Sequence, residues 1–335
     1  MITRRRFLQL LGLGLPASLV AAACVPPEPT PQSVPKWPLT ATPQKVVSKV
    51  GVHVLTGPRT GFGTFVQQCA AAGRPVAVVK CVGDLGAAFD AKAASPLTLT
   101  IGRLEEVGKI NLRAWEPPEF NPPDGTNYTT AQEAAQQYYN LVKPIWDLNP
   151  RIDVWETFNE FSAHYGWQAD FYISLMDLAE TDGFRLGLWS ESGGNPPENV
   201  YPEIARACQR ARQHGQHILC LHEYSWYGLL KDENDWLVTR YRRLYAYLSQ
   251  QAAVIPLVIS ECGQNGGGGL VSRDNFIADY TWYDDQLLRD DYVIGCAAWT
   301  LGNWEGANFQ TYLPTLTDYI INKVRFYQYL PLIVA

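Results

Sequence analysis

The chain has 335 residues, of which 47% are hydrophobic, 12% aromatic and 18% charged, with a formal charge of -6. That composition excludes a disordered or fibrous protein and supplies enough apolar material for a large core. The one cationic cluster, Arg4-Arg5-Arg6, sits at the N-terminus, and without a basic stripe nucleic acid is not an expected partner.

Residues 1–23 read as a targeting segment: three arginines, the apolar run Phe7 to Leu15, then small residues. The run is too short and too broken by glycine for a membrane span. Thr3-Arg4-Arg5-Arg6-Phe7-Leu8-Gln9 resembles the twin-arginine export motif, and Leu19-Val20-Ala21-Ala22-Ala23-Cys24 resembles a bacterial lipobox with Cys24 as the lipidated residue. Residues 24–45 are proline-rich and without hydrophobic period, as expected of an extended, solvated tether. The expected location is therefore extracytoplasmic, anchored to a bacterial membrane through lipid on Cys24. Six further cysteines, at 69, 81, 208, 220, 262 and 296, form no CxxC or zinc-like pair, and four of them lie in or beside apolar strands as small buried hydrophobes. Twin-arginine export carries folded protein, so free buried thiols are compatible with that route.

From residue 46 onward short apolar runs alternate with longer helical patterns, the mark of successive β/α units. Eight strands are predicted: Val50 to Leu55, Pro75 to Val82, Leu97 to Arg103, Ile152 to Phe158, Arg185 to Trp189, His217 to Leu221, Pro256 to Ser260 and Val293 to Trp299. Several are apolar throughout, as in parallel strands covered on both faces. Helices are expected over Thr130 to Trp146, Asp170 to Glu180, Tyr201 to Gln213, Asn234 to Ser249, Arg273 to Arg289 and Asp318 to Leu330. Within Asn234 to Ser249, Trp236, Leu237, Tyr241, Leu244, Tyr245 and Leu248 form an inward stripe. Glu105 to Gly125, punctuated by proline, reads as a long loop over the barrel mouth. Eight strands with interleaved helices predict a single (β/α)8 TIM barrel over 46–335. The missing glycine-rich phosphate fingerprint after the first strand argues against an open nucleotide-binding sheet.

In such a barrel the C-terminal strand ends share one face, so carboxylates ending separate strands converge. The runs Ile152 to Glu160 and Ile255 to Gly263 place Glu160 and Glu261 in that position. Two carboxyl groups, one protonated and one ionised, are what cleavage of a glycosidic bond requires. Asn159 beside Glu160 can donate to a sugar hydroxyl near the reacting centre. Taken alone, Glu160 also fits a cap of the following segment and Glu261 a surface carboxylate ahead of the run Gly266 to Gly269. Glu156 reads as a buried partner of Lys80 or an arginine, Glu191 as a substrate contact at most, and Glu223 as a side chain turned into the barrel wall. His214 and His217 precede the sixth strand and read as structural. Trp167, Trp226, Tyr227 and Trp304 follow strand ends, where loop aromatics either stack on sugars or pack the lid. No His/Asp/Glu spacing indicates a metal, no cofactor is expected, and no Gly-x-Ser-x-Gly elbow is present.

Asn159-Glu160 on the fourth strand and Glu261 on the seventh resemble the paired glutamates of clan A glycoside hydrolases, the retaining barrel glycosidases. His222-Glu223-Tyr224 resembles the clan's His-x-Tyr on the sixth strand, and Trp299 the eighth-strand tryptophan that floors the sugar subsite. The resemblance covers the chain from about Val50 onward. It implies Glu160 as acid/base, Glu261 as nucleophile, and Asn159, His222, Tyr224 and Trp299 as substrate-binding residues, with an oligo- or polysaccharide as partner. Two departures stand out: Phe161 replaces the proline that often follows Asn-Glu, and the early basic residue of some families has three candidates, Lys80, Arg103 and Arg113. The expected activity is hydrolysis of a β-linked glycan. A glycan-binding lipoprotein without turnover, and a transglycosylase that remodels the cell envelope, are the alternatives.

Overall fold

A computed structural model describes residues 47–107, 110–111, 130–214, 217–304 and 306–323. The leader, Cys24, the tether and Arg113 lie outside the described residues, as does most of the expected loop over Glu105 to Gly125. Of that loop the structure describes a small antiparallel ribbon, Glu106–Val107 with Ile110–Asn111.

Eight parallel strands close into a barrel: β1 (Val50–Leu55), β2 (Val78–Val82), β3 (Leu99–Arg103), β4 (Val154–Glu156), β5 (Leu186–Glu191), β6 (Ile218–Tyr224), β7 (Leu257–Gly263) and β8 (Val293–Leu301). Each pairs with its neighbours in sequence, and β8 returns to β1. The helices that follow them are α1 (Phe62–Ala71), α2 (Gly86–Ala94), α3 (Ala131–Leu148), α4 (Tyr165–Thr181), α5 (Tyr201–His214), α6 (Tyr241–Gln250), α7 (Arg273–Leu287) and α8 (Leu313–Asn322). This is the (β/α)8 barrel expected from the sequence.

The interior is filled, as in other barrels of this kind, by inward side chains from alternate strands. Val78, Leu99, Ile101, Val154, Ile218, Cys220, Val258 and Ala297 form a compact apolar plug. Above the plug the same strands turn polar while staying buried: Lys80, Arg103, Glu156, His222 and Glu261 are all nearly inaccessible to solvent. Charges buried to that degree must be paired, and here they pair with one another. Gly51 is required by closure, since a Cβ there would stand 2.0 Å from the Val78 carbonyl oxygen and 2.8 Å from that of Cys296.

Local chemistry sets the helix ends. Thr130 caps α3 by accepting from the Glu133 N–H at 3.1 Å, and Glu133 reaches back to the Thr130 N–H at 3.2 Å, a reciprocal box. The helix expected over Asn234 to Ser249 begins only at Tyr241. Before it, Thr239 Oγ1 donates to Asn234 Oδ1 at 2.9 Å, and Asp235 and Thr239 take left-handed φ of 63° and 59°. This polar turn breaks the helical path, so Trp236 leaves the expected inward stripe and stands 61% exposed. The last helix starts at Leu313, five residues earlier than expected, with proline in its first turn. All six described cysteines are free and buried. Burial pushes the thiols of Cys69 and Cys81 up to about 12, which leaves them inert.

Candidate active site

Glu261 and His222 are register partners on adjacent strands, so their side chains rise together at the C-terminal face. Glu261 is 4% exposed at its side chain and is met from four directions. Its Oε1 accepts from Lys80 Nζ at 2.9 Å and Arg103 Nη1 at 3.3 Å, and its Oε2 accepts from the Tyr224 hydroxyl at 2.9 Å. His53 Nε2 stands 3.5 Å from Oε1. Burial by itself would raise this carboxyl. His222, Lys80 and His53 outweigh it and hold Glu261 well below the usual carboxylate range.

Glu160 follows β4 on a short turn, with a left-handed φ of 54° fixed by its N–H donating to the Ser190 carbonyl at 2.9 Å. Its side chain is 37% exposed and lies 3.0 Å from His222 Nδ1. The Lys80 ammonium, which has donors only, lies 3.4 Å from His222 Nε2, so Nε2 is the accepting nitrogen and Nδ1 the one that donates to Glu160. The same Nδ1 is 3.5 Å from Glu261 Oε2. An oxygen of Glu160 and an oxygen of Glu261 thus come within 4.8 Å of each other. The two glutamates expected to converge do converge, and they differ sharply in surroundings.

Asn159 is held by Arg103, whose Nη1 donates to Oδ1. That bond occupies the amide oxygen of the exposed Asn159 and fixes its amide nitrogen as the donor left over for a ligand. Trp299 donates from Nε1 to the Gly267 carbonyl at 3.1 Å and packs edge-on to Tyr224 with centroids 6.1 Å apart. Trp304 donates to the same carbonyl at 2.7 Å, meets Trp299 edge-on at 5.2 Å and keeps 44% of its surface exposed. Trp226 is half-buried against the core, and Trp167 stacks on Phe171, a packing role.

The remaining carboxylates sort by their partners. Glu156 meets Lys80 Nζ at 2.6 Å, the pairing expected from its strand phase; burial opposes its ionisation, but Lys80 and Arg103 bring it down to about 2. Glu223 faces the barrel wall, accepting from the Tyr283 hydroxyl at 2.6 Å and the Thr239 N–H at 2.8 Å, and burial raises it to about 7. Glu191, which the sequence allowed as a substrate contact at most, is wholly buried, bonded to the Ser162 and Tyr165 hydroxyls, and raised to about 8 by that burial. His217 accepts from the Leu186 N–H at 3.0 Å and pairs with Glu180 at 2.9 Å, below the plug and structural as expected.

Of the three candidate basic residues, Lys80 and Arg103 both reach Glu261. The sequence reading missed His53. A lone histidine in Val-Gly-Val-His-Val-Leu was its only signal; its Nδ1 lies 2.8 Å from the Thr300 hydroxyl and its ring 4.4 Å from that of Trp299. Burial lowers it to about 4, against an opposing pull from Glu261, so its ring is neutral at pH 7. Glu160, His222 and Glu261 are close enough to ligate one cation. Lys80 and Arg103 already stand against Glu261, both at Oε1, and two fixed cations repel a third. These fixed charges weigh against a metal ion at this position.

No family model matches this chain, and no curated protein matches it in sequence. Solved structures similar to it include glycoside hydrolases. A glucosidase from Croceicoccus marinus aligns with a TM-score of 0.51 at 11% identity, covering 79% of this chain and 62% of that one. A GH30 endoxylanase from Clostridium papyrosolvens aligns at 0.47 and 13%, covering 83% and 72%. An endo-beta-1,4-mannanase from Thermotoga petrophila aligns at 0.46 and 11%, covering 84% and 78%. At these identities the likeness is one of fold.

Proposed function

We propose that this chain is a retaining glycosidase acting on a β-linked glycan. The observation that carries the reading is the unequal environment of two adjacent carboxyl groups. Glu261 is buried among Lys80, Arg103 and Tyr224 and held ionised, whereas Glu160, within 4.8 Å of it, is exposed and partnered by His222. Retention needs carboxyls about 5 to 5.5 Å apart, inversion about 6.5 to 9.5 Å.

In this mechanism Glu261 attacks the anomeric carbon as Glu160 gives its proton to the departing glycosidic oxygen, leaving a glycosyl ester on Glu261. Glu160, now ionised, takes a proton from water, whose oxygen attacks the same carbon and releases Glu261. Asn159 Nδ2 donates to the sugar hydroxyl next to the reacting carbon, a bond that strengthens as charge develops there. Trp299, with Trp304 beside it, offers aromatic faces to the apolar side of the ring. The fold-related enzymes named for xylan, mannan and glucosides are consistent with a glycan substrate. The proposal extends to location: lipid on Cys24 holds the barrel at a membrane surface.

The test is intact-mass analysis after incubation with a panel of 2-fluoro-glycosides. A sugar adduct mapped to Glu261 in the wild type and missing in Glu261→Gln supports the reading and names the sugar. No adduct and no product across the panel would transfer the site to glycan binding without turnover.

A further inference from the structure

Strand β5 ends in a bulge. Its register against β6 shifts between Trp189 and Glu191, and both Trp189 (φ 81°) and Ser190 (φ 46°) take left-handed conformations that are unfavourable for side chains of that size. Bulges of this kind re-aim a side chain, often next to an active site. Here two things are re-aimed. The Ser190 carbonyl receives the Glu160 N–H at 2.9 Å, and the Glu191 carboxyl points into the turn that carries Glu160.

Glu191 Oε2 accepts from the Ser162 hydroxyl at 2.7 Å and from the Tyr165 hydroxyl at 3.2 Å. Ser162 lies two residues beyond Glu160, and Tyr165 begins α4. From the other side, Gln168 Nε2 donates to the carbonyls of Phe161 and Ala163 at 2.8 and 2.6 Å. The turn is therefore gripped at successive residues, and Glu191 supplies the side-chain grip, tying Ser162 of the turn to Tyr165 at the start of α4. No described cation pairs with Glu191. The ionisable groups that act on it are Tyr165 on α4 and Glu160 itself, and its register partner on β6 is the apolar Leu221. A buried carboxyl in that setting keeps its proton at pH 7, so its working form is neutral.

We propose that Glu191 is a positioning residue for Glu160, holding through Ser162 and Tyr165 the turn that keeps the acid/base carboxyl against His222 and the scissile bond. The inference rests on the function proposed above. It accounts for a buried carboxyl and two strained residues that neither packing nor substrate contact explains.

The experiment compares Glu191→Gln, Glu191→Ala and Ser162→Ala in the full chain, using the aryl β-glycoside that the wild type turns over, alongside hydrogen exchange of the peptide spanning 158–165. The carboxamide keeps an acceptor for both hydroxyls, so Glu191→Gln retains kcat within about threefold and wild-type exchange. Glu191→Ala loses about ten- to a hundredfold in kcat with KM within about twofold, because displacement by an ångström at the acid weakens only the chemical step. Exchange of 158–165 accelerates in that variant. Ser162→Ala gives a smaller change in the same direction, and decides the matter should Glu191→Ala fail to fold. Wild-type kcat and exchange in the alanine variants overturn the proposal, as does a Glu191→Gln variant as impaired as Glu191→Ala. Exchange is read without substrate, so a wild type that cleaves no glycoside refutes the proposed function while the grip on the turn is still measured.

Discussion

Lys80→Met would test the electrostatic reasoning most directly. Lys80 rises from β2 with no solvent exposure and divides its ammonium between Glu156 Oε2 at 2.6 Å and Glu261 Oε1 at 2.9 Å. Methionine preserves much of the side-chain volume and removes the charge, leaving two buried carboxylates with Arg103 as the fixed cation beside them. Glu156 falls from 4.5 to about 2 on folding, a linkage worth about 3 kcal/mol, with Arg103 supplying part of it. Breaking a buried pair by removing one partner costs about 3–5 kcal/mol. The sign follows from the direction of the shift. A depressed carboxyl contributes its full stability above pH 4.5 and loses it as pH falls toward 2. Without Lys80, burial raises the same carboxyl, so its penalty is greatest at neutral pH and is relieved as it protonates. Urea unfolding should therefore give a deficit of about 3 kcal/mol for Lys80→Met at pH 7, shrinking to about 1 kcal/mol by pH 4.5. Adding Glu156→Gln should recover much of the loss. A deficit that is flat with pH, or below about 1 kcal/mol at pH 7, would refute the account of a shared buried cation.

Tyr224→Phe removes the O–H that donates to Glu261 Oε2; a bond to a charged group is worth about 1.5–3 kcal/mol, so the acidic limb of kcat/KM should move up by about one to two pH units, and the same loss should lower the melting temperature at pH 7 by several degrees. Gly51→Ala drives a Cβ into backbone oxygens of both neighbouring strands, and overpacking of about 1–3 kcal/mol should lower the melting temperature by several degrees, measured by circular dichroism. Cys24→Ser should release the protein from the membrane fraction into the soluble one; unchanged partitioning would end the lipid-anchor proposal.

The barrel was legible because its strands are continuous apolar runs, and β1 matches its predicted span of Val50–Leu55. Helices with strong caps or stripes were equally legible, α3 through Thr130 and Glu133 above all. Legibility failed where backbone turns override side-chain period. Asn234 to Thr239 carries helix-like apolar spacing, yet Asp235 and Thr239 bond their own neighbours and leave the helical region. At the site, Glu160 and Glu261 could be read because strand ends share one face. Lys80 and Arg103 could be named as candidate basic residues but not assigned to Glu261, and His53 escaped notice, since a histidine in Val-Gly-Val-His-Val-Leu shows only that something polar is buried. The burial of Glu191 was not legible for a related reason: a bulge at Trp189 and Ser190 changes where the strand end points, and no residue pattern announced it.

The charge count at the barrel mouth gives Glu156 a purpose beyond pairing. Lys80 and Arg103 bring two positive charges to Glu156 and Glu261, which bring two negative ones, so this set is neutral and Glu160 faces no surplus cation. An acid must keep its proton until the leaving oxygen takes it, and a surplus positive charge nearby favours its loss. Glu156→Gln should create that surplus. Turnover near the acidic side of the profile should survive, because Lys80 and Arg103 still hold Glu261 ionised. The alkaline limb, set in this mechanism by the acid, should move to lower pH by roughly half a unit to one unit, the size of a single charge felt across a partly screened site. A pH–rate profile of Glu156→Gln with an aryl glycoside of demanding leaving group reads that limb directly. If the acidic limb moved and the alkaline limb stayed, Glu156 would act on the nucleophile alone and the neutral set would have no bearing on the acid.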